Sequence, residues 1–229
     1  SPGLHREWLL TLGYFHEASA FLATALPFFT ECARLHPDAA DAWLGAGTAY
    51  EYSAYPDGFG GTPVALPSRK AAEEAERCYR EAARLEPRLA EARLRLGRVL
   101  RLAGAFDEAE LELRAAVDSS EEGDLTALAQ LFWGESREAR GDLDGAMAHY
   151  QAALDADRDC QPAALALSHA LRRSGRPREA RDSLTPALTA AEATRHSPWR
   201  EYHLGLGRRY GAALAGLHEG LPVMAEAAP

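Results

Sequence analysis

Two residue types are missing altogether: the 229 residues contain no asparagine and no isoleucine, and Lys70 is the one lysine among 25 basic residues. These three types share AT-rich codons, so the composition points to a GC-rich, bacterial genome rather than to selection on the fold. One consequence is physical. Without asparagine there is no N-glycosylation acceptor, and no Asn amide can serve in a binding site. No apolar run is long enough to cross a bilayer. Three scattered cysteines, Cys32, Cys78 and Cys160, are too few for a disulfide framework or a metal knuckle. Bases are outnumbered by 34 acids, giving a net charge of −9, whereas a phosphate-backbone binder carries a basic footprint. No nucleic-acid partner is expected. The chain opens Ser-Pro-Gly without a methionine and reads as trimmed, which leaves room ahead of Ser1 for a signal peptide, an anchor or a further domain. Cytoplasmic residence is the default expectation, and periplasmic residence the alternative if a leader was removed.

What is present is ample apolar content, 47%, beside 26% charged residues, enough for one or two ordinary domains with a buried core. Catalytic constellations do not emerge. The eight histidines show no H-E-x-x-H spacing, no C-x2-C pair occurs, and G-x-S-x-G is absent. The expectation is therefore a protein that is not an enzyme, with no cofactor and no metal. Cys32 falls at a small, core-type position and reads as an inert thiol, and His149 reads as a packing or surface residue.

Internal repetition organises the rest. A small residue is followed after four positions by an aromatic or Leu and after seven by another small residue. The pattern runs Ala25, Phe29, Cys32; Ala75, Tyr79, Ala82; Ala109, Leu113, Ala116; Ala146, Tyr150, Ala153; and Ala180, Leu184, Ala187. Ala75 to Ala109 and Ala146 to Ala180 are both 34 residues, and the enlarged first interval holds an insertion. Upstream of these stand Gly13, Gly47, Gly97, Gly134 and Ser168, each preceded by an apolar residue. Spacings of three, four and seven place the apolar residues on one helical stripe. Gly104, Gly141 and Gly175 fall where a helix ends in a left-handed cap, and Pro37 and Pro87 fall where a second helix must stop. The unit is an antiparallel helix pair with small residues where the two backbones approach.

The sequence resembles a tetratricopeptide repeat array, best in the second unit, where Trp43, Gly47, Tyr50, Ala75, Tyr79, Ala82 and Pro87 all match the family pattern. Five units are expected at 6–39, 40–89, 90–126, 127–160 and 161–194, as an all-α, right-handed α-solenoid of antiparallel helix pairs, the tetratricopeptide superhelix. Residues 55–69 form an insertion within the second unit, read as a surface loop or partner contact with Ser68 as a helix N-cap. A phosphate-binding role lacks both a preceding strand and a Gly-Lys signature. Residues 195–220, with Trp199, Tyr202 and Leu204 leading into a helix near 208–219, are expected to cap the array, and 221–229 to form a tail.

The resemblance implies that the first helix of each unit lines a concave groove, free to meet a peptide. It places there Tyr14 and Glu17, then Thr48, Glu51 and Tyr52, then Arg95, Arg98 and Arg101. Phe132, Glu135 and Glu138 follow, then His169, Arg172 and Arg173. Arginine clusters suit bidentate capture of carboxylates, but Glu135 and Glu138 lie between the two basic sets, so internal pairing is the competing reading. The expected function is a protein–protein interaction scaffold holding an extended or helical partner segment, acidic where the arginines are left to grip it. The arginines and His169 would grip it, with Tyr14, Tyr52 and Phe132 as apolar contacts. The carboxylate clamp known in co-chaperones of the family uses Asn, which this chain lacks. A regulatory arm of a larger enzyme, or a homo-oligomerisation module working through the insertion or the C-terminal cap, are the alternatives.

Overall fold

A helix carrying a small residue on its apolar stripe can bring its backbone close to another there, and this sequence places such points at the same step of each unit. The computed structural model describes residues 2–18, 22–55, 68–190 and 215. Among the described residues there are ten helices and no strand. They form five pairs: α1 (Pro2–Ala18) with α2 (Leu22–Leu35), α3 (Ala40–Ala54) with α4 (Arg69–Leu85), and α5 (Ala90–Leu102) with α6 (Phe106–Ser119). The remaining pairs are α7 (Gly123–Ala139) with α8 (Leu143–Ala156), and α9 (Gln161–Arg173) with α10 (Pro177–Ala190). The fold is all-α, a solenoid of helix pairs.

The close approaches are where the sequence puts them. A Cβ added to Gly47 would stand 2.5 Å from the Tyr79 ring, and one on Gly134 would stand 2.4 Å from the Tyr150 ring. Only a residue without a side chain admits these rings at the crossing of first and second helix, and the burial gained offsets the helix propensity lost. Reversal between the helices of a pair uses one device three times. Gly104, Gly141 and Gly175 take φ of 82°, 82° and 76°. The residues after them, Ala105, Asp142 and Arg176, donate their backbone N–H to the carbonyls of Leu100, Arg137 and Leu171, the double-bonded left-handed helix end that favours glycine. At the other ends, α2 and α4 stop two residues before Pro37 and Pro87.

Ser68 caps α4, its hydroxyl accepting from the Ala71 N–H at 3.2 Å, and Arg69 already lies inside the helix, so the expected insertion ends one residue earlier. Residues 56–67, and the expected cap and tail over 195–229 apart from residue 215, lie outside the described residues.

The chain divides into two compact units, the first holding α1–α4 and the second α5–α10. In the first, Leu9, Leu10 and Tyr14 of α1 meet Ala25, Phe29 and Cys32 of α2 and Ala42 and Ala46 of α3 in one buried cluster. In the second, α5 touches α7 and α7 touches α9 more extensively than the second helices α6, α8 and α10 touch one another. The first helices therefore stand on the inner side of that unit's curve.

Candidate functional site

The inner row of the second unit carries alternating charge, and its geometry follows from where each residue falls relative to the helix crossing. On α5 and α7, Arg101 Nη2 lies 2.9 Å from Glu135 Oε2. The guanidinium carbons of Arg98 and Arg101 stand 5.8 and 5.9 Å from the Phe132 ring centroid, within cation–π range. Desolvation pushes the Glu135 carboxyl above its usual range, although Arg101 and Arg98 pull it back. On α7 and α9, Glu138 is the hub. Its Oε2 accepts from the Tyr150 hydroxyl at 2.8 Å. Its Oε1 pairs with Arg173 and lies 3.5 Å from His169 Nδ1. Burial and the Glu138 carboxylate together drive the Tyr150 phenol far upward, so it stays a donor.

The expected sites divide into two groups. Glu135, Glu138, Arg101, His169, Arg172 and Arg173 lie on the inner row, and of these His169, Arg172 and Arg173 are exposed. Arg172 makes no side-chain hydrogen bond or ion pair among the described residues. Four other expected contacts are corrected by burial. Phe132 is fully buried, Arg95 and Arg98 are buried, and Tyr14 is a core residue packed edge-on against Phe29, ring centroids 5.2 Å apart. The reason is angular. Steps of three residues turn a helix about 300°, so each drifts about 60° around the axis. Arg95, Arg98 and Arg101 thus do not share one face, and Arg95 turns back to bind Glu91 through Nε at 2.8 Å. In the first unit Glu17, Thr48 and Glu51 are buried and Tyr52 is half-buried. Glu51 accepts from the Tyr79 hydroxyl at 2.6 Å.

Interactions that the sequence reading missed tie second helices to first helices. Arg137 of α7 reaches Glu110 of α6 at 2.8 Å, Arg140 pairs with Asp107, and Ser136 Oγ donates to Glu110 at 3.3 Å. The signal was available as matched spacings of three, Asp107 with Glu110 and Arg137 with Arg140. The three thiols are no nucleophiles: all are buried, and desolvation raises each to about 11. His149 stacks on Trp133 at 4.3 Å and its Nδ1 lies 2.8 Å from Gln130 Oε1, a packing role.

Two family models, both described as tetratricopeptide repeat, match residues 71–124 and 138–195. Nothing matches among curated proteins. Among solved structures, Pseudomonas aeruginosa pilF superposes with a TM-score of 0.68 at 15% identity, over 97% of this chain and 93% of that one. MamA from Desulfovibrio magneticus RS-1 superposes with 0.63 at 17% identity, over 84% of this chain and 98% of that one. YrrB, described as a TPR protein with an unusual peptide-binding site, superposes with 0.56 at 20% identity, over 81% and 86%. At these identities the likeness is one of fold.

Proposed function

We propose, from the premise that this chain is a tetratricopeptide repeat protein, that it is a protein-interaction scaffold that holds an acidic segment of a partner along the first helices of its second unit. The segment is extended or helical and meets the α9 end of the row. One observation carries this reading: His169, Arg172 and Arg173 stand together, exposed, and Arg172 has no ion pair or side-chain hydrogen bond among the described residues. A guanidinium whose donors are unspent offers a two-pronged match to a carboxylate. The neighbouring Glu138 and Glu135 consume Arg173 and Arg101. They set the register, because a partner carboxylate is attracted at Arg172 and repelled over α7.

Arrays of peptides graded in net charge, probed with the whole chain, test the proposal. Acidic peptides should bind, and Arg172→Ala with Arg173→Ala should lose them while helical content by circular dichroism stays that of the wild type. Undiminished binding by the double variant refutes the assignment.

A further inference from the structure

Among the described residues, the face of α1 turned away from α3 is unlike the same face of any other first helix. In the later pairs, the residue five positions before the small crossing residue is Ala42, Ala92, Ala129 or Ala163, and all four are fully buried. The residue two positions after it is Ala49, Val99, Ser136 or Ala170, again buried. Within a unit this is the face by which a first helix, α3, α7 or α9, seats itself on the pair before it. Ala42 lies in the cluster with Phe29 and Cys32 of α2, and Ser136 reaches Glu110 of α6. On α1 the same two positions are Trp8 and Phe15, 49% and 47% exposed. Between them is the half-buried Leu12, and before them the exposed His5, whose ring stacks on Trp8 with centroids 6.3 Å apart.

Bulky rings where the counterparts are Ala, Ser or, on α5, Val99 forbid another helix pair of this kind from seating there at the same distance. The stripe has other properties. His5, Trp8, Leu12 and Phe15 are spaced three, four and three, which reads the same in both directions, so an antiparallel copy of the helix lays Trp8 on Leu12 and His5 on Phe15 of the second copy. Such a contact closes on itself with twofold symmetry. None of the four stripe residues is acidic, so two copies of a molecule with net charge −9 bring no carboxylates of the stripe itself together. Aromatic side chains are the usual anchors of such contacts.

We propose that α1 is a self-association surface, on which two copies of this chain pair antiparallel through His5, Trp8, Leu12 and Phe15. A helix of 17 residues is about 25 Å long, which sets the interface at the small end of the specific range and makes the dimer weak and concentration-dependent. The surface differs from the insertion and the C-terminal cap that the sequence alone offered for oligomerisation, and it is independent of the α9 grip.

Sedimentation equilibrium of the whole chain from low micromolar to near millimolar tests it. The mass should climb from the 24.8 kDa of one chain towards twice that value. Trp8→Glu should hold it at one chain with an unchanged circular dichroism spectrum. Leu111→Glu, at a leucine more exposed still but on α6, should associate as the wild type does. A wild-type mass fixed at one chain, growth beyond two copies, or dimerisation undisturbed by Trp8→Glu each overturns the proposal. Should Trp8→Glu fail to fold, hydrogen exchange of the wild type at low and high concentration decides. Added protection confined to α1 supports the proposal, and unchanged protection there overturns it.

Discussion

The hydroxyl of Tyr150 donates a 2.8 Å hydrogen bond to Glu138 across the pair α7–α8, and Tyr79 makes the matching 2.6 Å bond to Glu51 across α3–α4. Both acids stand four residues after a crossing glycine, and both tyrosines are the rings that press on that glycine. Where the second helix has leucine instead, at Leu113 and Leu184, the first-helix position holds Arg101 and Arg172. A buried phenol requires an acceptor, and a leucine does not. In these two pairs the tyrosine of the second helix thereby holds an acid on its partner helix.

Tyr150→Phe should lower stability by roughly 1.5–3 kcal/mol, the range for a hydrogen bond to a charged group. Denaturant unfolding followed by circular dichroism measures it. A variant indistinguishable from the wild type would show that the bond contributes nothing net.

Gly97→Leu should overpack the α5–α6 crossing, because a Cβ at Gly97 already falls 2.5 Å from Leu113 Cγ. The expected cost is about 1–3 kcal/mol. Gly3→Ala, at an exposed position of α1 where the Cβ meets nothing within 4 Å, should hold or slightly raise stability in the same thermal melts.

Alkaline pH should weaken the fold. Burial raises the thiols of Cys32, Cys78 and Cys160 from 9.0 to about 11. The folded state therefore keeps protons that the unfolded state has lost. Stability from this source is whole below pH 9 and falls as pH rises towards 11. Unfolding free energy measured across that window should decline, and Cys78→Ala should flatten the decline. Ellman's reagent at neutral pH should label none of the three until denaturant is added.

Capture of an acidic peptide at α9 should weaken as salt is raised, because His169, Arg172 and Arg173 are exposed and screened by ions. Arg98→Ala should act differently, lowering the melting temperature through the buried contact with Phe132 rather than changing the salt slope. Anisotropy titrations at low and high ionic strength, paired with melts, separate the two effects.

The helix pairs were legible because Gly47, Tyr79 and their counterparts sit at fixed intervals, and a close backbone approach restricts residue type more tightly than any surface role does. Gly104, Gly141 and Gly175 were legible for the same reason, since a positive φ leaves few choices. The candidate site was legible only as a set of positions. That Arg101 meets Glu135 and Arg173 meets Glu138 depends on one helix standing beside another, and no local pattern encodes that pairing. Tyr14 and Phe132 look identical to groove aromatics in a linear reading, and only their neighbours bury them.

By itself the sequence determined that the chain forms helices, that they pair, and where each pair turns, because periodicity, backbone strain and the missing side chain of glycine act within a few residues. The tertiary structure decided which charges are spent on one another and which remain for a partner. Burial and ion pairing are properties of side chains brought together from helices some 35 residues apart, as with Arg173 and Glu138. It also decided that Trp8 is exposed while Ala42, at the same step of the next pair, is sealed inside, since among the described residues α3 has a pair to rest on and α1 has none.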